Sequence, residues 1–150
     1  DLARTTLRQF LQAAVLSTPS GKQKSSAAYN LPAGVLVEVK TECAVPVSYA
    51  NAFADHVPPR AVRGLIGECI ARRGQHVHEI AVGYGIAATR FWFSPAGRYA
   101  LTWADRSAGE TVRELPVIDG DGNVETLEAL VTGVLAAVDR GVRTAVGAAS

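Results

Sequence analysis

The chain contains no methionine and only two cysteines, Cys43 and Cys69. A reading frame begins with Met, so a chain that starts at Asp1 is expected to be processed, trimmed or part of a longer protein. The cysteines lack a close-spaced metal pattern, a secretion signal and disulfide density, which predicts reduced, buried thiols and a cytoplasmic location. Aromatic residues make up 7% of the chain. No apolar run approaches the roughly 20 residues that a membrane-spanning helix needs, and no signal-peptide pattern opens the sequence. Internal repeats, heptad seams and low-complexity tracts are also missing. What is present is ordinary for a globular protein: 48% apolar and 19% charged residues. A chain of 150 residues suits a single domain, 1–150, that buries roughly 70% of its unfolded surface.

The net charge of +1 conceals an asymmetry. Residues 1–98 carry eleven Lys and Arg against six Asp and Glu, a net of +5, whereas residues 99–150 carry four against eight, a net of −4. The basic part could face a polyanion while the acidic part stays in solvent or meets a basic partner. A basic patch permits nucleic-acid binding without diagnosing it.

Leu7, Phe10, Leu11, Ala14 and Val15 recur at helical spacing and predict an amphipathic helix over 2–16, with Asp1 placed as its cap. Ser17 to Gly21 end it. Val35, Val37 and Val39 alternate with Leu36, Glu38 and Lys40, as in a strand with one buried face. Residues 42–59, with three prolines, read as an ordered connection. A second helix follows, lined by Val62, Leu65, Ile66, Cys69, Ile70, Val77, Ile80 and Ala81, with Gly64, Gly67 and Gly74 weakening its continuity. Gly83-Tyr84-Gly85 closes that helix. Thr89–Phe93 predicts a strand, Tyr99–Trp103 and Thr111–Leu115 two weaker ones. Leu127, Leu130, Val131, Val134, Leu135 and Val138 predict a final helix, with Arg140 and Arg143 near its negative end. Helices and strands alternate irregularly, so the fold class is α+β.

Several chemistries fail on spacing. A P-loop would need Gly where Leu16 stands, Ser or Thr where Gln23 stands, and a strand-loop-helix order instead of helix-loop-strand. Asp119-Gly120-Asp121-Gly122-Asn123 begins like a calcium loop, but Val124 replaces its glycine and Leu130 its final glutamate. A turn into the last helix, capped by Asn123 or Thr126, is the expectation instead. His76 and His78, two residues apart in a helix, point to different faces and do not chelate one ion easily, even with Glu79 beside them. No context sets His56, His76 or His78 against a nucleophile. Phe91, Trp92 and Phe93 could stack bases as in RNA-recognition sheets, yet the accompanying signature is missing. Core packing is expected for Phe91 and Phe93, with Trp92 the one candidate for an exposed ring.

The most informative segment is the polar turn STPSGKQKSSAAYN, residues 17–30. Gly21, Lys22, Gln23, Lys24, Ser25 and Ser26 gather two lysines, an amide and two hydroxyls on flexible backbone between a helix and a strand. That is the chemistry of a phosphate-contacting edge. A phosphate-binding enzyme and a protein-interaction domain are the alternatives; the first would need a metal or nucleotide site, the second would assign the turn to subunit contacts.

This turn, with Ala27-Ala28, Tyr29 and Asn30 after it, resembles a segment of the CRISPR-associated backbone subunit of type I-E Cascade, the CasC family. Pro46-Val47-Ser48-Tyr49-Ala50-Asn51-Ala52-Phe53 follows at that family's spacing. Val82-Gly83-Tyr84-Gly85 before an aromatic strand, and the Thr126–Leu130 helix start after an acidic linker, match it as well. The resemblance spans nearly the whole chain and corresponds to the C-terminal part of the family's protein. It implies a partial RRM-like (ferredoxin-like) palm, with helices on a small, mostly antiparallel sheet and with apolar faces partly uncovered. It implies a structural subunit, not an enzyme, with no cofactor and no metal. Such a subunit binds CRISPR RNA, supports target DNA recognition through the guide, and assembles with other copies of itself and other Cascade subunits, away from any membrane. On this resemblance Gly21 to Ser26 carry the RNA contact. Ser26 stands where the family has a bulky residue, which loosens a stacking contact there.

Overall fold

The structure, a computed structural model, describes residues 2–17, 31–42, 45–55, 63–107 and 111–148. Helix α1 (Leu2–Leu16) leads to strand β1 (Val35–Val39), a 3₁₀ turn at Ala50–Phe53, helix α2 (Gly64–Gly83) and strand β2 (Thr89–Phe93). Strands β3 (Thr102–Asp105), β4 (Arg113–Pro116) and β5 (Asn123–Val124) precede helix α3 (Leu127–Ala148). The α+β class holds, as a partial ferredoxin-like arrangement of three helices on small, mostly antiparallel sheets.

Strand β2 lies between β1 and β5. It runs antiparallel to β1, from Val35 opposite Phe93 to Val39 opposite Thr89, and parallel to the short β5. Its pleat sends Phe91 and Phe93 to one face and Trp92 to the other. The first face packs with Val15 of α1 and Leu130, Val134 and Ala137 of α3, with Val35, Val37 and Val39 at its margin. Trp92 packs on the opposite face with Ile70 of α2, Leu101 and Ile118. The expectation of an exposed Trp92 ring is therefore corrected, since Trp92 is 2% exposed. Strand β1 is also covered on both faces: Leu36 joins the Trp92 cluster, and Glu38 is enclosed by polar partners. The alternation that suggested one wet face reflects a second, partly polar layer.

Other expectations shift for similar reasons. Phe10 is 64% exposed, because Leu11 and Val15 form the seam of α1 with the core and Phe10 turns away from it. Leu65 and Ile66 stay exposed while Ile70 and Val77 are buried. Apolar surface is thus uncovered at Leu2, Phe10, Leu65 and Ile66. The two weaker strands form later than expected, at 102–105 and 113–116, and pair antiparallel. Helix α3 runs on to Ala148, which places Arg140 within the helix and not at its end. Thr126 is its cap, its Oγ1 accepting from the Ala129 N–H at 3.1 Å, while Asn123 belongs to β5 and donates to the Ile118 carbonyl. Cys69 is a free cysteine that is half-buried and not fully buried as expected; Cys43, Asp1 and His56 lie outside the described residues.

The glycines of α2 do not interrupt it. A Cβ at Gly74 would sit 2.0 Å from the Thr102 carbonyl oxygen of β3, so the missing side chain is what lets helix and strand meet. Gly74→Ala gains about 1 kcal/mol of helix propensity, but forces a methyl group into a backbone oxygen, an overpacking cost of about 3 kcal/mol. We expect a net loss of about 2 kcal/mol, read as a lower denaturant midpoint. An unchanged midpoint would show that α2 does not rest on β3 through this contact.

Candidate nucleic-acid interface

Gly21, Lys22, Gln23, Lys24, Ser25 and Ser26 lie outside the described residues. The described residues on either side of them are Ser17 and Leu31. At the end of α1 the Ser17 N–H donates to the Ala13 carbonyl at 2.8 Å. Leu31 to Gly34 come just before β1. Two contacts fix this stretch. The hydroxyl of Ser94, 1% exposed, donates to the Ala33 carbonyl at 3.0 Å. The Trp92 ring occupies the space over Gly34, where a Cβ would be 2.2 Å from its Cη2.

The turn after β2 is tied into the same place. Ser94 Oγ accepts from the Tyr99 N–H at 3.1 Å, and Trp92 Nε1 donates to the Tyr99 carbonyl at 2.7 Å. Ala96 adopts φ 52° and Gly97 φ 64°. A left-handed conformation at a residue with a Cβ costs about 1–2 kcal/mol, which the surrounding hydrogen bonds must hold in place. Among them, the Ala96 N–H donates to the Glu125 carbonyl at 3.2 Å and the Gly97 N–H to the Ser94 carbonyl at 2.9 Å. The Arg98 guanidinium lies 5.2 Å from the centroid of the Tyr99 ring.

At the other end of β1, the Pro46–Phe53 segment docks through Tyr49. Its hydroxyl donates to Glu38 Oε1 at 2.8 Å, and Arg90 Nε donates to the same oxygen at 2.7 Å. Lys40 Nζ lies 3.2 Å from Glu38 Oε2 and donates to the Val45 carbonyl at 3.0 Å. Glu38 and Arg90 are cross-strand partners in the β1–β2 register. Helix α2 holds the segment from the other side. His76 meets the Tyr49 ring edge-on, Arg73 lies 5.8 Å from the Phe53 centroid, and Arg72 Nη1 donates to the Asp55 carbonyl at 2.9 Å. His78 points elsewhere and stacks on Trp103 with centroids 3.6 Å apart, so the two histidines diverge as their spacing requires. Among the described residues, no three His, Cys, Asp or Glu side chains come together as metal ligands would.

Burial works to raise the Glu38 carboxyl, but hydrogen bonds from Tyr49, Arg90 and Lys40 outweigh it and hold the group below the usual carboxylate range. Burial, and then the bond to the Glu38 carboxylate, push Tyr49 up to about 12. Both groups move away from neutrality, the reverse of what acid–base catalysis at neutral pH requires. The cluster is a tie between strand and segment. Sequence reasoning missed it, although Glu38 and Arg90 at matching positions of two alternating strands carried the signal.

Charge is also rearranged by folding. Arg4 pairs with Asp139, Arg8 with Glu128 at 2.7 Å, and Arg63 with Glu114. The basic first part thus neutralises itself in part against the acidic second part, so the acidic residues are not all left for solvent or a partner. Arg73 and Arg98 instead lie over aromatic rings.

Glu38→Ala is expected to cost on the order of 2 kcal/mol, because Arg90 and Tyr49 lose a charged acceptor in a sheltered place. The pH dependence has two limbs. A raised Tyr49 adds stability that is fully present below its unfolded value near 10 and is lost as pH rises through about 12. A lowered Glu38 adds stability that is present above its unfolded value and lost as pH falls through the folded one. Thermal midpoints followed across pH should show the alkaline limb shrink in Tyr49→Phe; an identical limb would mean Tyr49 is not held by Glu38.

The family model described as CT1975-like protein, a CRISPR-associated family, matches residues 1–116. No curated protein matches the chain.

Proposed function

The chain belongs to the CRISPR-associated CT1975-like family, and from that premise we propose that it is a guide-RNA-binding structural subunit of a type I-E CRISPR surveillance complex. Family membership gives it a role in CRISPR defence. The finer reading assigns the RNA contact to Gly21, Lys22, Gln23, Lys24, Ser25 and Ser26, with CRISPR RNA, further copies of the chain and other subunits of the complex as partners. Target DNA is met through the guide.

One observation carries this reading. Both segments that resemble the Cascade backbone subunit flank the same strand in sequence: the Lys-Gln segment comes before β1, and Tyr49 of the Pro46–Phe53 segment after it is tied to Glu38 of that strand. A guide-holding subunit has to accept any sequence, so its contacts belong on phosphates and its bases stay free to pair. Lysines and hydroxyls supply such contacts, while the Glu38 carboxylate, held by Arg90 and Tyr49, ties the strand to the Pro46–Phe53 segment. The uncovered apolar surface at Leu2 and Phe10 of α1 is suited to subunit contact, the assembly part of the role.

Lys22→Ala with Lys24→Ala should weaken binding of single-stranded RNA by a similar factor for unrelated sequences. It should also flatten the slope of log affinity against log salt by about 1.4, at roughly 0.7 per phosphate contact. An unchanged slope would remove these lysines from the phosphates.

The proposed role is structural and not catalytic. The purified chain is expected to retain no stoichiometric metal in elemental analysis and to cleave neither RNA nor DNA. Cleavage that follows the chain through further purification and stops with chelator would overturn this.

A further inference from the structure

We propose that the outer edge of β1 docks the same strand of a second copy of the chain, the two strands running antiparallel about Val37. The proposal rests on one part of the reading above, that further copies of the chain are partners, and it needs no RNA.

A strand at the edge of a sheet presents unpaired N–H and carbonyl groups. Folded proteins guard such edges with short strands, prolines, charges or covering elements. Among the described residues the two sheets have four edges, and three of them are guarded. Strand β5 is only two residues long. Strand β4 carries Arg113, Glu114 and Pro116 within its four residues. At β3 the Ala104 N–H donates to Gln75 Oε1 of α2 at 2.8 Å, and the Thr102 carbonyl packs on Gly74.

The fourth edge is bare. Among the described residues β1 pairs with β2 alone, and no other backbone group bonds to Val35–Val39. Its five residues include no proline or glycine, and their register with β2 is unbroken, so no bulge twists the edge away. Glu38 is its one charge. That carboxylate, on the Trp92 face, already accepts from Tyr49 and Arg90 and lies 3.2 Å from Lys40 Nζ. Covering it with a further strand costs less than covering an uncompensated charge.

The order Val35-Leu36-Val37-Glu38-Val39 selects the occupant. With two copies antiparallel about Val37, Val37 meets Val37 and Val35 meets Val39 on one face. Apolar pairs directly opposite each other stabilise a sheet. These valines already border the cluster of Phe91, Phe93 and Leu130, so the pairing carries one apolar layer across both copies. On the other face Leu36 meets Glu38. The two carboxylates are never directly opposite, the arrangement in which like charges would destabilise the pair. One strand pair falls below the roughly 1,200 Å² of a stable interface, so the dimer exchanges with monomer.

Hydrogen–deuterium exchange of the purified chain without RNA, beside sedimentation velocity over rising protein concentration, tests the proposal. The β1 amides not bonded to β2 should exchange about tenfold more slowly once the dimer dominates, while the others stay protected throughout. Val37→Cys, a small apolar exchange whose fold circular dichroism checks, should cross-link as a dimer under mild oxidation, above the background of the wild-type cysteines. Val35→Cys should do so only when mixed with Val39→Cys. Protection of the outer amides at every concentration would mean that the chain covers this edge itself, and would overturn the proposal. A dimer that leaves these amides exchanging freely would use another surface: the copies remain partners and the proposal falls. A monomer at every concentration overturns both. None of these outcomes moves the salt slope of the lysine variants, which tests RNA binding separately.

Discussion

The packing of three consecutive rings on β2 is the constraint on which the remainder of the structure depends. Phe91 and Phe93 face α1 and α3, while Trp92 faces α2 and the segments around Leu101 and Ile118. Burying rings on both faces makes β2 a central strand, since an edge or half-wet strand could not remove them from water. Each such ring is worth about 3–5 kcal/mol against truncation, so the strand is where two cores are joined. The Trp92 ring then dictates glycine at position 34, and its indole N–H fixes Tyr99. A residue that looks like a candidate for base stacking is instead what joins the stretch before β1 to the turn after β2.

Much of this was legible from periodicity. The three helices and the strands at β1 and β2 follow from apolar spacing, and Thr126 is recognisable as a cap from its place before the last helix. The failures share one cause: local patterns do not say what covers the second face of a strand. Leu36 and Glu38 read as the wet side of β1, and Trp92 as the wet side of β2, until α2 and the 99–118 region supply a second layer. Phe10 failed in the opposite sense, an apolar residue at core spacing that the seam between α1 and α3 leaves outside. Gly74 reads as a helix breaker by propensity, yet tertiary contact reverses its meaning.

The candidate interface divides in the same way. Lys22, Gln23 and Lys24 stand out in the sequence by residue type alone, and they lie outside the described residues. The Glu38–Arg90–Tyr49–Lys40 cluster does not stand out, because its members come from both strands and from the connecting segment. Net charge was misleading for a related reason. The excess of basic residues before position 98 is partly spent on Asp139, Glu128 and Glu114 inside the fold, so counting charges overstates the field a polyanion would meet.

The proposed guide-binding role sets a requirement on the fold that these contacts would meet. Affinity that ignores sequence has to come from charge on phosphates, and charge alone leaves the ligand free to slide. Register along the strand must then come from cations whose spacing is set by rigid backbone. Here the rigid parts are internal: a serine of 1% exposure bridging Ala33 and Tyr99 at one end of β1, and a charged cluster at the other. Such a division lets surface residues change with little cost to stability, whereas replacing Ser94 or Glu38 would loosen the ties at the two ends of β1.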